Sequence, residues 1–218
     1  MNRKSITQEY YILAVDKTGN MPLLHKDESN AGLLVAGIMD LITNEVISLE
    51  KKKILVNSEL PNELTFLKSL YEYLNEKPRT TDKLMSEYMA YGGKMKQFIA
   101  EVGESLLKDK LVAKDESGLL GKKTVYIPEK GYKDELISAV KSALFNDDTA
   151  TPQDIALIFI LKETKNLNQY LSKHESEEAK TKLKEMKNNC QNKQFVDMIN
   201  YVSDMTAIVA SFIVTTSM

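Results

Sequence analysis

The chain has 218 residues, and its 29 Lys and Arg residues nearly balance 31 Asp and Glu residues, for a formal net charge of −2. This length can bury a hydrophobic core without covalent staples, and the single cysteine, Cys190, excludes both an intramolecular disulfide and a four-thiol zinc site. The near-neutral charge excludes polyanion binding by the whole surface, and a fold that needs no disulfide indicates a cytoplasmic protein.

Two helices are predicted at the start of the chain. Ser5 followed three positions later by Gln8 forms a capping box, which predicts a helix that ends before Gly19. From Ala31 to Thr43 the sequence is apolar on almost every side, which is typical of a helix that is buried all round. This second helix is the expected centre of the core.

Two hairpins and three helices are predicted in the middle of the chain. Short β-branched runs at Val46–Leu49 and Ile54–Val56 predict the first hairpin. Apolar spacing and breaker residues predict the other elements. These are helices over 62–75, from a threonine cap at 80 or 81 to about Tyr91, and over 94–109, followed by the second hairpin over 111–128.

Three more helices and a hydrophobic end are predicted in the last third. A helix over 132–145 is followed by Thr151, whose neighbouring proline and later acid mark a strong helix start, and by a charged, solvated helix over 173–187. A last helix from about Gln194 contains the apolar run Thr206–Thr215, which is too short to span a bilayer and predicts a core helix.

These elements predict a mostly α fold. We expect a single helical domain over residues 1–218, built around the buried central helix, with two small β-hairpins.

The sequence predicts no catalytic centre. The chain has two histidines, His25 and His174, and neither lies in a spacing typical of metal ligands or of an acid–base pair. Cys190 lacks a nucleophile signature and is interpreted as an ordinary thiol. We therefore expect a protein that is not an enzyme and that uses no metal or other cofactor.

Positive charge is concentrated between Gly92 and Lys133, where nine lysines stand against six acidic residues. This excess indicates an anion-binding face, for phospholipid headgroups or for a nucleic-acid backbone. The order helix, helix, hairpin in the same region resembles a winged helix and motivates the nucleic-acid alternative. Arginine is the commonest side chain in base recognition, and the chain contains two arginines, Arg3 and Arg79. This scarcity of arginine favours the lipid interpretation.

The order of these segments resembles that of the Golgi phosphoprotein 3 family from about Ser5 to Val214. The likeness is carried by SITQEYYILAVDKTG, by AGLLVAGIMDLI with its hairpin VISLEKKKILV, by ESLLKDKLV before the second hairpin, and by TPQDIALIFIL. The resemblance implies a mostly helical, non-enzymatic peripheral membrane protein. In the Golgi members a basic pocket binds phosphatidylinositol 4-phosphate, and cytosolic tails of membrane enzymes are protein partners.

The resemblance also implies the place of a lipid site. A tryptophan of the eukaryotic members corresponds to His25, an arginine of the core helix to Leu34, and two further arginines to Lys96 and Ile99. One cation of three is thus retained, as a lysine that offers a point charge where arginine offers a bidentate fork. We expect a weaker and less selective site for anionic phospholipid headgroups. Its expected residues are His25, Lys26, Lys94 and Lys96.

In the same family the second hairpin mediates oligomerisation. The resemblance places this hairpin at Leu111–Pro128, where apolar side chains could pack on a partner copy or, equally, on their own domain. The residues expected to contact a partner copy are Leu119, Leu120, Val125, Tyr126 and Ile127.

Overall fold

The computed structural model describes residues 2–50, 53–90, 92–117, 123–146 and 150–189, together with 200, 202–204 and 207. The helices in these ranges are α1 (Ile6–Ala14), α2 (Lys26–Thr43), α3 (Lys68–Asn75), α4 (Thr81–Ala90), α5 (Gly93–Lys108), α6 (Lys130–Phe145), α7 (Pro152–Glu163) and α8 (Lys173–Asn189). The strands are β1 (Ile47–Glu50), β2 (Lys53–Val56), β3 (Arg79–Thr80), β4 (Val112–Ser117) and β5 (Lys123–Pro128). The strands form two small antiparallel sheets, ordered β1-β2-β3 and β4-β5. The predicted mostly α fold with small hairpins is confirmed.

Helix α2 is the centre of the core, as its all-round apolar sequence predicts. Every residue from Ser29 to Leu41 is buried, and α1 and α7 both pack against this helix. Helix α7 is itself buried from Asp154 to Leu161. Buried apolar surface is the main stabilising contribution to such a fold, and these three helices form its centre.

The start of α1 is fixed twice, once locally and once by α2. The predicted capping box is present, with the Ser5 hydroxyl accepting from the backbone N–H of Gln8. In addition, the buried carboxylate of Asp40 accepts hydrogen bonds from the backbone N–H groups of Ile6 and Thr7, both at 2.9 Å. Burial raises the pKa of Asp40 to about 6, although the hydrogen bonds from α1 act in the opposite direction.

An arginine joins the starts of α1 and α7. Arg3 donates to both carboxylate oxygens of the buried Glu9, at 2.6 and 2.7 Å, and to Asp154 at 2.7 Å. The hydrogen bonds that Arg3 donates to Glu9 are the largest cause of the raised pKa of Arg3, which stays charged. Asp154 also forms a capping box with Thr151 at the predicted helix start. A single cation therefore compensates two carboxylates that the core partly desolvates.

Several predicted boundaries differ from the observed ones. The central helix begins at Lys26 instead of Ala31, because residues 26–30 are polar and do not continue the apolar pattern. The predicted helix over 62–75 starts as a 3₁₀ helix over Asn62–Leu67. Strand β3 was not predicted, since its two residues acquire strand character by pairing with β2. The predicted last helix and its apolar run lie mostly outside the described residues, as does Cys190.

The second hairpin is packed against α5. Gly103 of α5 lies directly under the ring of Tyr126, where a Cβ atom would overlap the ring carbons. The Tyr126 hydroxyl donates to Glu104 at 2.9 Å. Tyr126 is 2 % exposed and Val125 is also buried, so this strand contributes to the chain's own core. The hairpin thereby holds Lys123, the first residue of β5, near the start of α5.

Candidate anion-binding site

The loop between α1 and α2, residues 15–25, is held in shape against β5. The Asp16 carboxylate accepts hydrogen bonds from the backbone N–H and the hydroxyl of Thr18, at 2.8 and 2.7 Å. Gly19 has a φ of +74°, and a Cβ atom there would lie 2.8 Å from the carbonyl oxygen of Tyr126. Glycine is thus required for the close approach of loop and strand. These contacts hold the loop in a defined position immediately before the start of α2.

Two lysines from distant parts of the sequence, Lys26 and Lys96, lie within electrostatic range of Lys123 beside this loop. Lys26 begins α2, Lys96 lies in the first turn of α5, and Lys123 begins β5. Partial burial lowers the pKa of Lys123, and repulsion from Lys26 and then from Lys96 lowers it further. Lys123 also donates to the side-chain oxygen of Asn20 at 2.7 Å. We call Lys26, Lys96 and Lys123 the lysine cluster.

The lysine cluster carries positive charge that its neighbours offset only in part. Lys26 and Lys96 are exposed, and within the described part of the chain neither has a hydrogen-bond or ion-pair partner. Asp16 attracts Lys123, but the Asp16 carboxylate already accepts a hydrogen bond from the backbone N–H of Thr18. Asp27 follows Lys26 and offsets part of its charge. Because like charges held together repel, an anion bound between the three lysines would relieve that repulsion.

His25 connects the start of α2 to a buried polar network. Its Nε2 lies 3.3 Å from the side-chain oxygen of Asn166, so this nitrogen is the one that donates. The Asn166 amide donates in turn to the hydroxyls of Ser29 and Thr164, at 2.9 and 3.0 Å, and to that of Tyr10 at 3.2 Å. We call Tyr10, Ser29, Thr164 and Asn166 the polar hub. His25 therefore anchors the turn that precedes α2.

The turn that carries His25 exposes two leucines. The His25 N–H donates to the carbonyl of Pro22 at 3.3 Å, which closes a 3₁₀ turn over Leu23–His25. Leu23 and Leu24 are each 93 % exposed, whereas Met21 beside them is buried. We call Leu23 and Leu24 the leucine turn. It immediately precedes Lys26 of the lysine cluster.

Lys94 differs from Lys26 and Lys96 because it has a carboxylate partner. It donates to Glu87 at 2.7 Å, and its ammonium lies 4.1 Å from the centre of the Tyr73 ring. Arg79 lies over the same ring at 3.8 Å. The hydrogen bond from Lys94 lowers the pKa of Glu87 to about 2. The charge of Lys94 is therefore compensated within α4 and α5, unlike that of Lys96.

The residues predicted to contact a partner copy fall into three groups. Leu119 and Leu120 lie outside the described residues. Val125 and Tyr126 are buried in the chain's own core, and Ile127 is half-buried. Intramolecular packing thus accounts for the two buried side chains. Contact of this hairpin with a second copy stays a prediction.

A separate cleft lies near the starts of α1 and α7. It has a volume of about 750 Å³ and is lined in part by Arg3, Lys4 and Gln153. Arg3 is paired with Glu9 and Asp154, and Lys4 donates to Asp109 at 2.8 Å. Since these cations already have carboxylate partners, the cleft offers a ligand less free charge than the lysine cluster.

Sequence reasoning identified Lys26 and Lys96 but did not combine them with Lys123. The signal for Lys123 was the general excess of lysine between Gly92 and Lys133, which does not specify a direction in space. The leucine turn was also missed. Its signal is a pair of leucines after proline in an otherwise polar loop.

Among the described residues, no group of three or more histidine, cysteine or acidic side chains is arranged to hold a metal ion. None of the helices in the same ranges combines the length and apolar character needed to cross a bilayer.

Comparison with known proteins identifies the family. A family model described as Golgi phosphoprotein 3 (GPP34) matches residues 6–202, which is most of the chain. A search of curated proteins gives no match. The chain belongs to the Golgi phosphoprotein 3 family, as its order of segments predicted.

Proposed function

We propose that this member of the Golgi phosphoprotein 3 family is a non-enzymatic, peripheral membrane adaptor that binds anionic phospholipid headgroups through the lysine cluster. The observation that carries the proposal is the approach of Lys26, Lys96 and Lys123 from three separate elements, two of them without a described partner. Family membership supports the adaptor role and the kind of ligand. As an adaptor, the protein would also bind protein partners at the membrane.

Lysine chemistry determines the selectivity that we propose. Each basic residue near an anionic membrane contributes about 1 kcal/mol, and three together support reversible binding. Ammonium groups act as point charges, whereas arginine would grip one phosphate in a bidentate manner. Leu34, at the position of a family arginine, is fully buried in α2 and cannot reach a headgroup. We therefore propose that the headgroup charge governs affinity, with phosphatidylinositol 4-phosphate one of several lipids that bind.

Vesicle flotation tests this proposal. Lys26→Gln and Lys96→Gln should each weaken binding to vesicles that contain an anionic phospholipid by about fivefold at low salt. Lys94→Gln removes the same charge from a residue paired with Glu87 and is the matched control, for which we expect a smaller change. Binding of the wild type should fall as salt is raised, because exposed charges are screened.

The outcomes separate the proposal from its competitors. If the three variants lose binding equally, total charge and not the lysine cluster is responsible. If binding to anionic and to purely zwitterionic vesicles is the same, the proposed headgroup contact is wrong. Comparison of phosphatidylinositol 4-phosphate with phosphatidylserine at equal surface charge measures how much selectivity remains.

The nucleic-acid alternative finds less support in the structure. In α5, the helix that would read a groove, the exposed residues are Gly93 to Gln97, apart from the buried Met95, and then Lys108. Gln97 is also bonded to Glu101 at 3.0 Å. A recognition helix needs a continuous exposed face along the groove. Mobility-shift measurements at physiological salt test this alternative, and sequence-selective binding there would favour it over the lipid proposal.

A further inference from the structure

We propose that the leucine turn inserts into the apolar part of an anionic bilayer while the lysine cluster contacts the headgroups around it. This inference rests on the proposed membrane function and adds the mode of contact. Leu23 and Leu24 would act as a wedge, with Lys26 at the level of the phosphates.

The exposure of Leu23 and Leu24 is unusual for large apolar side chains. Both are 93 % exposed, although apolar residues are commonly buried and each leucine favours burial by about 1.5–3 kcal/mol. The loop does not lack a core anchor, because Met21 is 7 % exposed and fills that role. The two leucines can thus contact an apolar environment outside the chain without loss of core packing.

The leucine turn is held in position from both sides. Before it, the Asp16–Asn20 turn and Gly19 fix the loop against β5. After it, His25 bonds to Asn166 of the polar hub. A turn fixed at both ends presents its side chains without a large ordering cost, which favours insertion.

The charges around the leucine turn match a bilayer surface. Leu24 is two residues from Lys26, so no more than about 7 Å of chain separates an inserted side chain from a headgroup-level cation. Apolar side chains flanked by lysines are the pattern of proteins that lie in a membrane interface. A symmetric contact between two copies through this turn would instead bring two lysine clusters together, which is electrostatically unfavourable.

The first experiment removes the apolar side chains. A Leu23→Ser, Leu24→Ser double variant should bind anionic vesicles at least about tenfold more weakly than the wild type. The same factor is expected at low and high salt, because apolar transfer is not screened. Lys96→Gln should matter at low salt and much less at high salt. Both leucines are exposed, so the thermal unfolding temperature of the double variant should match that of the wild type.

The second experiment measures depth directly. The chain contains no tryptophan, so Leu23→Trp introduces a single indole that can be excited apart from the ten tyrosines. With anionic vesicles, its emission should shift to the blue and be quenched by lipids brominated in their acyl chains. A Lys180→Trp variant, at an exposed position of α8 outside the leucine turn and the lysine cluster, should show neither effect.

Results other than these would contradict insertion alone or the whole membrane proposal. If the double leucine variant binds like the wild type and the emission of the Leu23→Trp variant is unshifted, insertion is wrong and the headgroup proposal stands on the lysine variants. If light scattering shows that the leucines hold two copies together in solution, the turn is a protein contact and insertion is again wrong. If no protein binds any vesicle, both proposals fail.

Discussion

Asp40 shows how one side chain can join two helices at an energetic cost. Its carboxylate accepts three hydrogen bonds from Ile6 and Thr7, the shortest at 2.5 Å from the Thr7 hydroxyl. Burial nevertheless dominates and raises its pKa to about 6 from an ordinary value of 3.8. The folded state therefore holds this proton more tightly than the unfolded chain does.

Replacement of Asp40 by asparagine should remove a defined pH dependence. The stabilising contribution of the raised pKa is complete below about pH 4 and is lost as the pH rises through 6. A pKa shift of about two units corresponds to about 3 kcal/mol of unfolding free energy. The free energy of unfolding of the wild type minus that of Asp40→Asn should fall by about this amount between pH 4 and pH 7. Urea unfolding at both pH values measures it, and a constant difference would contradict the assignment.

Gly32 borders the polar hub, where added volume should destabilise the fold. A Cβ atom there would overlap the Tyr10 hydroxyl and a methyl group of Thr164. Gly32→Ala should destabilise the protein by about 1–3 kcal/mol, which exceeds the gain of up to about 1 kcal/mol from better helix propensity. Gly93→Ala, with no atom within 4 Å of its added Cβ, is the control. Chemical denaturation of both variants should show a loss in the first case alone.

Among the elements, those with local signals were predictable. The capping boxes at Ser5 and Thr151 each depend on residues three positions apart, so the sequence contains the complete motif. Strand β3 depends instead on pairing of Arg79 with Ile54, and no local pattern indicates it. The extra turns of α2 were also missed, because exposed residues such as Lys26 do not extend an apolar pattern.

The cap of α7 provides a test at the scale of one helix. The Thr151 hydroxyl accepts from the backbone N–H of Asp154, and Thr151→Ala should therefore cost about 1 kcal/mol of unfolding free energy. Ser138→Ala is a suitable comparison, because this exposed hydroxyl bonds to the carbonyl of Asp134 within its own helix. Denaturant unfolding should show a clear loss for the first variant and a change within about 0.5 kcal/mol for the second.

At the scale of the whole molecule, the candidate site was predictable only in part. The sequence revealed a lysine-rich region and, by resemblance, the importance of His25 and Lys96. It could not reveal that Lys26 lies within electrostatic range of Lys123, because this proximity depends on the packing of β5 against the first loop. Nor could it show that Lys94 and Lys96, two positions apart on α5, have different surroundings.

The whole molecule should be most stable in mildly acidic solution, near about pH 5. Hydrogen bonds from Lys94 and Lys141 hold the pKa values of Glu87 and Glu175 at about 2, so their stabilising contributions are lost as the pH falls below about 4.5. The contribution of Asp40 changes in the opposite direction and is lost as the pH rises through 6.

Thermal unfolding across pH 3–8 measures this profile. Salt should flatten the acid side, where exposed pairs act, and leave the neutral side, where the buried Asp40 acts, almost unchanged. In Asp40→Asn the decline toward neutral pH should be reduced. A midpoint that rises steadily up to pH 7 in the wild type would contradict the opposing contributions.

The contact between Asp40 and the start of α1 also has a consequence for the order of folding. Helix α1 has nine residues, fewer than the about 12–15 at which an isolated helix becomes even marginally stable in water. Two of its first backbone N–H groups find their acceptor in α2, 33 and 34 positions later in the chain. Helix α1 should therefore form only as it docks. Native-state hydrogen exchange should show the amides of α1 and the buried part of α2 opening together as one cooperative unit.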